Sequence, residues 1–168
     1  MTSAPIGIPL AWTHRLQFLT FACSFVFAVC AILQGWLVIN DETVEASLRL
    51  VGRTAAEASA EAPGFVGRFR AVIAYYVAGN SLGMLALRGA AWTFWATLLI
   101  NLTQITGPLG LIPAQVYRVA FQTYGPIGLL PTVVLSGGAL VLSVTLISRI
   151  IPCREIWADL KAAARTNR

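Results

Sequence analysis

Residues 16–39 read LQFLTFACSFVFAVCAILQGWLVI. They carry no acidic or basic side chain, and their strongly polar members are Gln17 and Gln34. A helix needs about 20 mostly apolar residues to cross the hydrocarbon core of a bilayer, and this run exceeds that. Signal-peptide cores run about 7–15 apolar residues and end in a small-residue cleavage site. This segment is too long and no such site follows, so it is expected to be a retained span.

Three more segments of this kind follow at 71–87, 91–111 and 127–151. The last contains Arg149 near its end, where a long side chain reaches the interface. The apolar runs are continuous rather than alternating, which selects helices over the strands of a barrel. Of 168 residues, 57% are hydrophobic and 11% charged, against about 45–50% and 25% in soluble domains. The mean hydropathy is +0.73. A water-soluble domain of this size has too much surface to hide so much apolar area, and disorder is excluded by the same composition. The net charge is +5 and the pI about 9.6. The basic residues sit scattered at segment ends and form no patch, so nucleic acid is excluded as a partner. The expected fold class is all-α: an integral membrane four-helix bundle in one domain, with the lipid bilayer as its partner. Arginine supplies eleven of the twelve basic residues and alanine is abundant, a bias of high-GC bacterial genomes. The expected location is the bacterial inner or plasma membrane.

The connections are patterned too. Between the first two spans, Val44, Leu48, Val51, Ala55 and Ala58 recur at helical spacing, opposite a stripe of Glu45, Arg49, Arg53, Glu57 and Glu61. This predicts an extramembrane amphipathic helix over 42–61, N-capped by Asp41 and ended by Pro63-Gly64. Glu45–Arg49 and Arg53–Glu57 are its expected ion pairs. The turn Arg88-Gly89-Ala90 forces an antiparallel hairpin. Gly107-Pro108 is expected to kink or end the third span. Pro113 then opens an interfacial helix carrying Tyr117 and Tyr124, and a C-terminal surface helix is expected over 152–165. Four spans place both termini and the Arg88 turn on one side. Seven basic residues lie there against five on the other, which favours cytoplasmic termini.

Candidate functional residues are few. Asn80 and Asn101 lie near the middle of the second and third spans, at similar depth, with Gln104 one turn from Asn101. An unpaired amide in hydrocarbon is costly. The plainer reading is a hydrogen bond that fixes the hairpin; the sharper one is a polar ligand site. Gly79 and Gly83, and likewise Ala31 and Gly35, stand four apart and open flat faces for close helix packing, within the chain or against a partner. No acidic residue lies in a span, so no buried carboxylate relays protons. There is no phosphate loop, no nucleophile triad and no zinc-ligand spacing. Cys23 and Cys30 share a helix face about 10 Å apart, too far for a disulfide.

The hairpin GNSLGMLALR, Gly79 to Arg88, followed at once by a third span, resembles the middle hairpin of small bacterial DoxX-like four-helix membrane proteins. The resemblance covers the four-span layout and this one hairpin; the long charged first loop departs from it. It implies a four-helix fold and, for some members, quinone or thiol redox chemistry, but transfers no catalytic residue. Two functions therefore stand. One is an accessory or interaction subunit of a membrane assembly, partnered by another membrane protein or a second copy. The other is a membrane oxidoreductase or lipophile-binding protein, with a quinone-like ligand near Asn80, Asn101 and Gln104 and walls of Tyr76, Trp92 and Trp95. A transporter is a third reading, weakened by the lack of coupling charges.

Overall fold

The computed structural model describes residues 13–166, with side chains over 13–149 apart from 107–109 and 111. The described residues are helical and contain no strand. Six α-helices follow one another: α1 His14–Ile32, α2 Asp41–Leu50, α3 Ala55–Met84, α4 Ala91–Leu111, α5 Ala114–Tyr124 and α6 Leu130–Thr166. The first continues as a π-helical segment, Leu33–Val38, and short 3-10 turns occupy Leu85–Arg88 and Gly125–Gly128. Two stretches are long and apolar enough to cross a membrane: His14–Val38, of 25 residues, and Leu130–Arg149, of 20.

The four long helices close a cycle of contacts, α1 with α3, α3 with α4, α4 with α6 and α6 with α1. The short helices α2 and α5 pack on each other at one end, and α2 also packs on the first half of α3. Tyr124, at the end of α5, locks this end: its hydroxyl donates to the Leu37 carbonyl and accepts from Asn40 Nδ2, both at 3.2 Å. At the opposite end His14, Arg15 and Arg149 share one surface cavity.

Several boundaries differ from the sequence expectation, each for a local reason. The helix expected over 42–61 is two helices. Gly52 adopts φ +92°, a left-handed conformation that a side chain disfavours, and the chain turns there. Thr54 then N-caps α3 in a full capping box: its hydroxyl accepts from the Glu57 amide at 3.3 Å, and the Glu57 carboxylate accepts from the Thr54 amide at 2.9 Å. Glu57 is thereby taken from Arg53, which pairs with Glu61 at 3.7 Å instead; the expected Arg49–Glu45 pair forms. Asn40, not Asp41, caps α2, its Oδ1 accepting from the Thr43 amide at 2.9 Å. Pro63-Gly64 does not stop the chain, because Pro63 lies inside α3. Proline forfeits one backbone hydrogen bond, while Ala58, Ala62 and Val66 on either side are buried and keep the helix whole. Helix α4 likewise runs past Gly107-Pro108 to Leu111, and Pro113 stands just outside α5 as its cap rather than inside it. The tail is no separate helix, since α6 continues unbroken to Thr166; the side chains expected on its surface lie outside the described residues. Between α3 and α4 the hairpin turn is made by Gly89 at φ +73°.

The capping box makes a prediction. The amide and hydroxyl of Thr54 hold the Glu57 carboxyl below the ordinary carboxylate range. A depressed folded-state pKa adds stability that is present above the unfolded value, near 4.5, and lost as pH falls through the folded one. Protection of the amides at residues 54–58, taken relative to the intrinsic exchange rate at each pH, should therefore be high at pH 6 and fall below about pH 4. Thr54→Ala should abolish that pH step and loosen the start of α3 by about 1 kcal/mol.

Candidate functional site

Along α4, Thr93, Thr97, Asn101 and Gln104 recur at steps of four, four and three. That spacing puts them on one helical stripe, and all four are buried. The stripe faces the interior, where the other long helices also bury polar residues: Thr20 and Ser24 of α1, Gln34 of its π-helical continuation, Asn80 of α3 and Ser143 of α6, each no more than 2% exposed. Inside the cycle of helices there is thus a polar thread among apolar residues such as Phe27, Leu98 and Leu142.

Asn80 and Gln104 meet directly. Asn80 Nδ2 donates to the Tyr76 carbonyl at 2.8 Å and to Gln104 Oε1 at 3.3 Å. One turn away the Tyr76 hydroxyl donates to the Thr103 carbonyl at 3.0 Å. These bonds join α3 to α4 through side chains. Asn101 turns back on its own helix, donating to the Thr97 carbonyl at 2.8 Å, and shares no hydrogen bond with Asn80 or Gln104. At the upper end of the thread Gln34 Nε2 donates to Thr132 Oγ1 at 2.8 Å, joining α1 to α6.

Some polar atoms in the thread remain unsatisfied within the protein: Asn80 Oδ1, Asn101 Oδ1 and Gln104 Nε2, together with the hydroxyls of Thr20, Ser24, Thr97 and Ser143. Two free acceptors and one free donor complement a water molecule or a ligand hydroxyl. Amides and hydroxyls of this kind exchange hydrogen bonds but do not titrate near neutral pH, so the thread can hold and orient a polar group without acting as acid or base. Among the described residues no three His, Cys, Asp or Glu side chains converge as metal ligands, and Cys23 and Cys30 are free thiols.

The small residues sit at the closest helix approaches. A Cβ on Gly79 would stand 2.5 Å from Ile100 Cδ1 of α4. A Cβ on Gly83 would stand 2.3 Å from Ser24 Oγ of α1 and 3.2 Å from Thr97 Oγ1 of α4. A Cβ on Gly35 would stand 3.0 Å from Ile73 Cγ2 of α3, and Ala31 is fully buried. All four positions thus face other helices of this chain. There is a further close approach between α6 and α1, where a Cβ on Gly138 would stand 2.5 Å from the Phe27 ring. The aromatic walls expected for a ligand are not assembled: Trp92 and Trp95 are 53% and 47% exposed and face outward, and only Tyr76 lies at the amides. They begin α4 on its outer face, one and four residues in, whereas the polar stripe occupies the inner one. Sequence reading singled out the three amides but not the hydroxyls that accompany them, although the Thr93–Thr97–Asn101–Gln104 periodicity was available.

No protein-family model, curated protein or solved structure matches this chain.

Two outcomes follow from this packing. Gly79→Ala should destabilise the protein by about 1–3 kcal/mol through overpacking, and adding Ile100→Ala should recover part of the loss, read as thermal melting in detergent. A double-mutant cycle on Asn80→Leu and Gln104→Leu should give a coupling of about 0.6 kcal/mol, the usual worth of such a bond.

Proposed function

We propose that the chain is a four-span integral membrane protein, a helical bundle of α1, α3, α4 and α6, that serves as an accessory or interaction subunit of a membrane assembly. The observation that carries the membrane part is the large apolar surface the bundle leaves outside while it buries amides and hydroxyls within its apolar core. Amides and hydroxyls are buried, while Phe18, Phe25, Trp36, Leu99, Val133 and Val141 stand 45% or more exposed around the outside. Water would penalise that outer surface, and lipid would not. Helix lengths agree: the thirty residues of α3 extend about 45 Å, against a core of about 30 Å. Its first turns, with Glu57 and Glu61, then stand outside, and the uncharged stretch from Arg70 to Arg88 lies within. The end that holds His14, Arg15, Arg88 and Arg149 faces the cytoplasm, in keeping with the seven-to-five bias of basic residues.

The accessory role rests on what the buried groups can do. Asn80, Tyr76, Gln34 and the glycines all serve contacts between helices, which is the chemistry of a scaffold. The DoxX-like reading, with a quinone-like ligand, has one observation in its favour. Gln104 Nε2 is a buried donor without a partner inside the protein, as a quinone carbonyl requires.

The membrane reading predicts that the protein stays in the membrane pellet after alkaline carbonate, and that reporters after Arg53 and after Tyr124 are active outside the cytoplasm while one after Arg88 is active inside. Release by carbonate sinks it. For the role, purification in mild detergent should recover a fixed stoichiometric partner or a homo-oligomer. Purification as a lone chain with bound quinone, lost in Gln104→Leu, would favour the redox alternative.

A further inference from the structure

The end of the molecule formed by α2, α5 and the start of α3 carries five arginines, and most are already engaged. Arg49 pairs with Glu45 and Arg53 with Glu61. Arg70 donates from Nε to the Gly35 carbonyl at 3.3 Å and lies 5.9 Å over the Trp36 ring. Arg68 is exposed and makes none of these bonds. Its position is particular. Helical side chains lean toward the N-terminus of their helix, and Arg68 does so: its Nη1 lies 3.8 Å from where a Cβ on Gly64 would be. Glycine at that point leaves the guanidinium room to lie one turn back toward the outer end of α3. On the other side, Phe65, Arg68, Phe69 and Val72 line an apolar cavity of about 310 Å³, with the Phe65 and Phe69 rings stacked 6.4 Å apart. Phe65 to Val72 spans about 10 Å along the helix.

From this juxtaposition we infer that Arg68 and the Phe65–Phe69–Val72 groove form a binding site for an anionic phospholipid. The inference rests on the membrane reading above. The guanidinium meets the phosphate at headgroup depth, and the upper part of one acyl chain lies along Phe69 and Val72. Glu61 lines the neighbouring cavity with Arg68, but its charge is answered by Arg53. A lipid fits better than a soluble anion, because the Phe65–Phe69–Val72 groove beside the cation is apolar and offers a free phosphate no hydrogen bond, while it suits an acyl chain.

The test is native mass spectrometry of the whole chain released from nanodiscs containing equal amounts of phosphatidylglycerol and phosphatidylcholine. The wild type should retain phosphatidylglycerol in preference. Arg68→Gln should cut that preference about fivefold, the effect of one basic residue at an anionic surface, and Arg68→Lys should keep part of it. Arg118→Gln, an exposed arginine at the same end, should change nothing, and Val72→Trp should fill the groove and lower retention of both lipids. Equal retention of the two lipids by the wild type, or an equal loss in Arg68→Gln and Arg118→Gln, overturns the site. A chain that stays in solution without detergent and does not enter nanodiscs refutes the membrane reading itself, so the two failures are told apart.

Discussion

Helix α3 touches both α1 and α4 through positions that carry no side chain. At Gly83 the hydroxyls of Ser24 and Thr97 come within the space that a single methyl would occupy, and at Gly79 the Ile100 side chain does the same. The rest of the interior depends on that closeness. Asn80, between the two glycines, reaches Gln104 at 3.3 Å only because the helix axes are near, and Tyr76 reaches the Thr103 carbonyl for the same reason. Small residues and short polar side chains thus form one device: the glycines set the distance and the amides set the register. Phe27 against Gly138 repeats the arrangement between α1 and α6, with an aromatic ring as the filling element.

How much of this was legible follows from where the information lies. The four apolar segments were plain, since each is a run of one chemical character, and the third matches α4 residue for residue. The Asn80–Gln104 contact was half legible: the tight turn at Gly89 made the two helices neighbours, but Asn101 rather than Gln104 looked like the partner by depth alone. Which amide pairs depends on the rotation of α4 about its axis, fixed by Ile100 seating on Gly79, a tertiary fact. The breaks were least legible. Pro63 reads as a stop and is not one, whereas the true break at Gly52 lies inside a pattern that looks continuous. The sequence Thr54-Ala-Ala-Glu57 is a capping box and announced the second helix. The competing expectation of an Arg53–Glu57 ion pair hid it, because one carboxylate was assigned to the wrong partner.

The arrangement also explains why the polar groups are the inner ones. In water, chains hide apolar side chains and need no amide seam. Under the proposed four-span reading, lipid supplies no difference in hydrophobicity between the inside and outside of a bundle, and what remains to hold helices together is close packing and hydrogen bonding. Glycine contacts and buried amides are those two forces, and both are concentrated in α3 and α4. The stretches His14–Val38 and Leu130–Arg149, on the other two long helices, are long and apolar enough to cross a membrane.

The two ends of the molecule then differ in kind. One is capped by α2 and α5 and holds Asp41, Glu42, Glu45, Glu57 and Glu61, every acidic residue among those whose side chains are described. The other holds His14, Arg15, Arg88 and Arg149. At the capped end three of these five carboxylates are held locally, Glu57 by the Thr54 box, Glu45 by Arg49 and Glu61 by Arg53, so those charges build structure. That accounting leaves Arg68 and Arg118, and of the two it is Arg68 that lines the Phe65–Phe69–Val72 groove. A cation that joins neither the cap nor a carboxylate, and sits above an aromatic groove, contributes nothing to the fold that its stem could not. Under the lipid-site proposal the guanidinium is left for a group outside the chain.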